Sequence, residues 1–310
     1  MDAEDLELFR ASLRQATASV TGEALDRELD ELGWRDALAV DRRAAVSTLF
    51  ELQGRANVTS SALDAVLASV LGVDAAVVLP RLGSCDPPAE VIGESVAVTG
   101  LATAALPRDQ QAVAVAKDVV LLIGTDELTL RPVDGLDPTL GLVAVSGDGL
   151  RATSESKSAA WPVAVAAGQV ALAHEIAGAS RTMLQLARDH AVARMQFGRP
   201  IAAFQAVRHR LADSLVAIEA ADAAIGGAWD DGSSFTAAMA KAVAGRSART
   251  VARHCQQVLA GIGFTTEHPF HHYLRRVLVL DGLLGDARTL TTQLGQDLLG
   301  RRDLPAPLPL

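Results

Sequence analysis

Cysteine is almost missing from this 310-residue chain: Cys85 and Cys255 stand far apart, in neither a CxxC nor a Cys/His spacing. No disulfide framework or structural zinc site can be built on that pattern, and a reducing, cytoplasmic setting is the expectation. Aromatic residues are also few, at 4%. Alanine must then do much of the packing, which suits helices whose axes approach closely. Basic charge is in deficit, with 28 Lys and Arg against 37 Asp and Glu and a formal net charge of -9. That balance favours solubility and offers no basic surface to nucleic acid or an acidic membrane. The opening MDAEDLELFR places acids where a signal peptide places bases before an apolar run. The most apolar stretch, Trp161 to Ala173, falls short of the roughly 20 residues a bilayer span needs and is expected as a buried helix.

What is present is a chain of 49% apolar residues, ample for a core, in three differently patterned regions. Residues 1–72 read as helices: acids fill the first turn of the opening segment, Leu25, Leu29 and Leu32 follow at helical spacing, and Gly33 stops that segment. Residues 73–155 change to short β-branched runs (Val77 to Leu79, Val91 to Val98, Val113 to Ala116, Val119 to Ile123, Leu142 to Val145) punctuated by Pro, Gly and Asp. Such runs predict a small β-sandwich or barrel. Residues 156–302 return to helical spacing in four segments, the last covering Val277 to about Leu299, and a Pro-rich tail occupies 303–310. The fold class expected is mainly α with a small β domain: N-terminal helices, a middle β-sandwich or barrel and a C-terminal four-helix bundle. His174, His190, His209 and His254 have no metal spacing and read as surface or packing residues; His268, His271 and His272 read as loop and helix start.

Two blocks of sequence go further. Arg194-Met195-Gln196-Phe197-Gly198-Arg199-Pro200-Ile201, followed by Phe204-Gln205, and Gln257-Val258-Leu259-Ala260-Gly261-Ile262-Gly263-Phe264-Thr265-Thr266-Glu267-His268-Pro269 occur in order. They resemble the R-x-Q/T-F-G … F/H-Q and Q-x-x-G-G-x-G-F-x-x-E-x-P motifs of the acyl-CoA dehydrogenase family, at the family's separation. Weaker likenesses are Leu32-Gly33-Trp34, Glu51 to Ala56 (a worn E-L-G-R-A) and Leu136-Asp137-Pro138-Thr139. Together they cover nearly the whole chain, with the specific motifs in its last half.

The resemblance implies that this bundle meets FAD held by a neighbouring subunit. Arg194 would place a forked charge on the pyrophosphate. Gln196, Gln205 and Gln257 would supply amide donors and acceptors, and Phe197 would pack on the cofactor edge. Gly261 and Gly263 would let backbone N–H groups approach phosphate oxygens.

Departures from the family pattern are as informative. Family members remove the α-proton of an acyl thioester with a Glu; the matching dipeptide here is Leu284-Gly285. Asp281, three residues earlier, is the one nearby candidate base and otherwise reads as an ordinary helix-face charge. Other members carry the Glu on the first bundle helix, but the region around Gly168 has none, and Glu175 lies nearly two turns further on. The T/S-E-P-x-x-G-S-D and W-I-T/S-N/G stretches that grip the flavin ring are absent from 73–154.

The resemblance therefore points to the shortened subunit of an α2β2 heterotetramer of the kind found in bacterial steroid degradation. The partner, a second acyl-CoA dehydrogenase-like subunit, would supply the Glu and most of the flavin pocket. The substrate would be an acyl-CoA, possibly bulky, and an electron-transfer flavoprotein the acceptor. The alternatives are a self-sufficient homotetramer using Asp281 as base and a non-catalytic assembly scaffold.

Overall fold

A computed structural model describes residues 3–117, 119–157 and 160–302. Five helices open the chain: α1 (Ala3–Ser19), α2 (Glu23–Glu31), α3 (Trp34–Val40), α4 (Arg42–Ala56) and α5 (Ala62–Leu71). Gly33, in the left-handed region at φ 67, separates α2 from α3, and Asp41 starts α4 by accepting the Ala44 N–H.

Eight strands follow. Strands β1 (Ala76–Val77), β4 (Gln111–Ala116), β5 (Val119–Gly124) and β8 (Ser154–Lys157) form one sheet in the order β1-β4-β5-β8. Strands β2 (Ala89–Ile92), β3 (Ser95–Ala102), β6 (Thr129–Pro132) and β7 (Val143–Leu150) form the other in the order β2-β3-β7-β6. Among the described residues only the β1–β4 pair is parallel. Val98 and Val145 of one sheet meet Ala114 and Leu121 of the other in a common cluster, so the sheets make a sandwich. Val113 and Val115 point the other way, into the core shared with the helices. Strand β4 is thus buried on both faces, which is why it reads as an unbroken apolar run.

Two strand assignments differ from the pattern reading. The Val91–Val98 run is a hairpin, turned at Gly93-Glu94 with Gly93 at φ 65. Strand β6 gave no signal because it is a polar edge strand ending in proline.

Five helices complete the chain: α6 (Trp161–Ala193), α7 (Gln205–Asp231), α8 (Ser234–Leu259), α9 (Phe270–Gly282) and α10 (Ala287–Arg301). The expected final segment is therefore two helices, and the bundle has a fifth member, α10, packed on α8. Leu284 (φ 53) and Gly285 (φ 95) break the run, and Asp286 caps α10 by accepting the Arg288 and Thr289 N–H groups at 2.8 Å each. Helix α6 sits at the centre, against α4, α5, α7, α8 and α9. By length and composition it could cross a membrane, but 78% of its most apolar window is buried in this fold.

Two glycines set the depth of the α4–α6 contact. A β-carbon on Gly54 would lie 2.0 Å from the Glu175 carbonyl oxygen, and one on Gly178 would lie 2.2 Å from that of Glu51. Cross-helix partners fix direction: Arg181 pairs with Asp222 and His174 with Trp229, so α6 and α7 run antiparallel. Gly232 and Ser233 then turn the chain directly into α8. The end of α6, the start of α7 and the end of α8 consequently share one end of the bundle.

Candidate functional site

That shared end holds most of the motif residues. After α6 the chain makes a two-residue hairpin, pairing β9 (Met195–Gln196) with β10 (Arg199–Pro200). Its turn residues, Phe197 and Gly198, have φ 52 and 76, the doubly left-handed geometry that matches strand twist. Glycine adopts it freely, whereas Phe197 is strained there. The Phe197 ring points outward at 90% exposure, edge-on to Phe204 with centroids 6.1 Å apart. Arg199 lies 4.3 Å over the Phe204 ring, a cation–π contact that motif reading missed.

Arg194 is the exposed C-cap of α6, its carbonyl accepting the Ile201 N–H at 2.8 Å. Gln196 is exposed on the hairpin and Gln205 opens α7. Across the same end, α8 finishes at Leu259 with Gln257 exposed, and a tight turn over Ala260–Phe264 leaves Phe264 77% exposed. His254 Nδ1 lies 3.2 Å from the Arg210 carbonyl, tying α8 to α7 here. Burial lowers the pKa of His190, and the charges of His268 and Arg194 add to that.

The glycine pair divides. Nothing lies within 4 Å of where a Gly261 β-carbon would be, so its backbone is open to a ligand. A β-carbon on Gly263 would sit 2.4 Å from Gln256 Nε2. Gly263 is buried, and its missing side chain makes room for Gln256. Gln256 Nε2 is itself buried without a hydrogen-bond partner. An open glycine, an orphaned amide and the exposed Arg194, Gln196, Phe197, Gln205 and Gln257 fit the pyrophosphate and adenosine part of FAD.

Gly168 and Leu284, where the resemblance would place a family Glu, lie together in the interior. A β-carbon on Gly168 would lie 2.5 Å from Leu284 Cδ1, 3.1 Å from Leu67 and 3.5 Å from Leu63. Gly168 and Leu284 therefore face one another, packed among leucines. The Leu284 carbonyl accepts from Gln169 Nε2 at 2.9 Å, and Lys241 Nζ, fully buried, donates to the Asp281 and Gly285 carbonyls at 2.8 and 3.3 Å. Burial lowers the Lys241 pKa to about 8.

Asp281 is not a helix-face charge, nor does it face open space as a base must. It is 1% exposed. One carboxylate oxygen accepts from Arg249 at 2.7 Å and the other from the Ala287 N–H at 3.1 Å. Gly245 lets it in, since a β-carbon there would lie 2.0 Å from Asp281 Oδ1. The carboxylate pins α8, α9 and α10 together.

A third cluster was invisible to motif reading. Arg276 is fully buried and all five of its N–H groups are used. They go to Asp137 (2.5 Å), the Val58 carbonyl (2.8 Å), Glu175 (3.5 Å), Thr59 (3.1 Å) and Thr139 (3.1 Å). The Asp137-Pro138-Thr139 segment thus anchors the sandwich to α9. Burial raises the Glu175 pKa to about 7, against the lowering influence of Arg276. His174 is a packing residue, as expected: its Nε2 accepts from Trp229 at 3.0 Å and burial lowers its pKa to about 4. Among the described residues no group of three or more His, Cys, Asp or Glu side chains could hold a metal.

Comparison with known proteins agrees with this architecture. Residues 163–299 match the family model for the acyl-CoA dehydrogenase C-terminal domain. Acyl-CoA dehydrogenase IpdE2 of Mycobacterium tuberculosis is 29% identical, over 93% of this chain and 91% of that protein. Acyl-CoA dehydrogenase FadE34 of the same organism is 39% identical over 53% of this chain but only 24% of its own length. Among solved structures, a Tcur3481-Tcur3483 steroid ACAD variant has a TM-score of 0.79 at 23% identity, covering 96% of this chain and 98% of that one. The ChsE4-ChsE5 complex from Mycobacterium tuberculosis gives 0.77 at 19% identity, covering 99% of each chain. At these identities the structural likeness speaks to the fold, which is the acyl-CoA dehydrogenase fold along nearly the whole chain. Residues 163–299 thus carry the acyl-CoA dehydrogenase C-terminal domain, and the chain shares the acyl-CoA dehydrogenase fold along nearly its whole length.

Proposed function

We propose that this chain is one subunit of an FAD-dependent acyl-CoA dehydrogenase, completing the cofactor site of a second, related subunit that supplies the carboxylate base. One contrast carries this reading. The bundle end that faces a cofactor is exposed and keeps its donors, whereas the interior base positions hold Gly168 and Leu284, packed shut. A chain working alone needs both; a chain that shares a site needs only the first.

Bound FAD would accept the β-hydride while a carboxylate removes the α-proton of the acyl thioester. This chain's share is binding and orientation. Arg194 offers a forked charge to the pyrophosphate, Gln196, Gln205 and Gln257 offer amides, and the open Gly261 backbone admits close approach. Phe197 covers an apolar edge and excludes water there. A bulky acyl-CoA such as a steroid-CoA is the substrate class favoured, in line with the steroid ACAD among the structural relatives. An electron-transfer flavoprotein is the expected acceptor. Against the homotetramer alternative, Asp281 is 1% exposed and both of its oxygens accept hydrogen bonds.

The test is FAD content and assembly mass of the chain alone and after co-expression with an acyl-CoA dehydrogenase-like partner. A colourless chain that becomes yellow in a heterotetramer, with about two FAD per four chains, supports the reading. Full FAD occupancy in a homo-oligomer overturns it.

A further inference from the structure

A cavity of about 30 Å3 lies in the seam between the sandwich and the helices. Helices α4, α6 and α9 and the loops of the sandwich enclose it, largely with leucine, and its polar lining is Gln53, Thr59, Ser60, Thr103 and Glu175. Gln53 and Glu175 are only 3% and 5% exposed, yet neither has spent its hydrogen bonds. Gln53 Oε1 accepts from the Ser60 hydroxyl, and its Nε2 has no partner among the described residues. Turning the amide over only exchanges which atom is left over. Glu175 Oε1 meets Arg276 at a long 3.5 Å, and Oε2 has no partner among the described residues. Thr103, also buried, donates its hydroxyl to Asp64 Oδ2 and accepts the Ala105 N–H at 3.2 Å, which leaves it one lone pair.

Space and chemistry agree on the missing partner. Buried polar groups are satisfied almost without exception, by protein or by ordered water. One water needs roughly 10–15 Å3 of such volume and two to four polar neighbours, so the cavity has room for one or two. An apolar guest would leave the amide and the carboxyl unpaired, and Arg276 beside Glu175 disfavours a cation.

We propose that this cavity is a water site, and that its water joins Gln53 and Glu175 to Thr103 and so carries a proton between Glu175 and Asp64. Asp64 supplies the outer end. Its Oδ1 accepts the Val77 N–H at 3.0 Å, and it lines an open groove of about 370 Å3 with Asp26, Arg108 and Asp109. Thr103 stands between groove and cavity, lining the one and bonded to Asp64 of the other. For each proton that enters, Asp64 passes one to Thr103 Oγ1, Thr103 passes its own to the water, and the water passes one to Glu175. No electron moves, and each oxygen gives one proton for the one it takes. Burial raises the pKa of Asp64 to about 6 and that of Glu175 to about 7. Asp109 and Asp26 add to the first, and Asp137 adds to the second against the lowering influence of Arg276. None of these residues belongs to the flavin-facing bundle end, and the link needs no bound cofactor.

The experiment uses the full chain, crystallised as the parent and as Gln53→Leu. An ordered water within hydrogen-bond distance of Gln53, Glu175 and Thr103 is expected in the first and not in the second. Infrared difference spectra then follow the protonated Glu175 carbonyl band, assigned by its loss in Glu175→Gln, after a jump from about pH 9 to about pH 5. Thr103→Val should reach the same final band about tenfold more slowly or worse, and Thr103→Ser should run at the parent rate. A dry cavity in the parent, or an unchanged rate in Thr103→Val, overturns the proposal. Should Thr103→Val fail to fold, the parent crystal and the rate in Gln53→Leu decide, since loss of the water alone must slow the band.

Discussion

Gly168 on α6 and Leu284 after α9 are in such close contact that a β-carbon on the first would lie 2.5 Å from Cδ1 of the second. Gly168→Ala should therefore overpack this spot and cost about 1–3 kcal/mol, and Leu284→Ala should cost about 2–5 kcal/mol as a cavity forms. The double variant should be less destabilised than the two costs combined, by about 1 kcal/mol or more, because each change relieves the other. Urea unfolding of the four proteins measures this. Simple additivity would mean that the two residues do not compete for one space.

Asp281→Asn separates structure from chemistry. The amide loses the charge that holds Arg249 and presents a donor where the Ala287 N–H needs an acceptor, so stability should fall by about 1–3 kcal/mol. Turnover of the assembled complex, measured below its melting range, should stay within a few-fold of the parent. A collapse of kcat with an unchanged melting temperature would instead make Asp281 the base.

Arg194→Ala should do the reverse. Its side chain is exposed and caps nothing, so the isolated chain should melt as before. FAD affinity of the co-expressed complex should fall by roughly tenfold, the usual worth of one charge-assisted hydrogen bond to a phosphate. Unchanged flavin occupancy would favour the assembly-scaffold alternative.

Glu175 gives a pH dependence of definite sign. Its folded pKa of about 7 lies above the ordinary carboxylate value of 4.5, so the folded state binds the proton more tightly. The stability this contributes is complete below about pH 4.5 and is lost as pH rises through about 7. Glu175→Gln stays neutral throughout. Its melting temperature should match the parent near pH 4.5 and exceed it by several degrees near pH 8, a gap worth roughly 3 kcal/mol at most. Parallel melting curves for the two proteins across that range would contradict the assignment.

Much of the fold was legible because it follows from apolar periodicity. The doubly buried β4, the leucines of α2 and the long runs of α6 to α8 all announce themselves. What stayed hidden has particular causes. Leu284 breaks the last segment with a left-handed φ that a leucine does not advertise, so α9 and α10 read as one helix. Asp281 sits on a helix at an unremarkable position, and only Gly245 and Arg249, contributed by α8, reveal that it is buried. Arg276 finds partners more than a hundred residues away, which no local spacing encodes. At the exposed bundle end the motif named Arg194, Gln196 and Phe197, but Arg199 over Phe204 needed coordinates.

The Arg276 hub also constrains the order in which the polypeptide can mature on the ribosome. Its acceptors come from residues 58, 59, 137, 139 and 175, all of which leave the exit tunnel well before the arginine. Until α9 emerges, Asp137 and Glu175 lack the cation that joins them in the folded chain, so the link between the sandwich and the early helices is still unmade. A nascent chain can thus complete its local elements during synthesis, yet the junction can close only once Arg276 has left the tunnel, when synthesis is all but complete. Premature termination before residue 276 should yield a species with formed helices and an unlocked, protease-sensitive joint, the substrate on which cellular quality control acts.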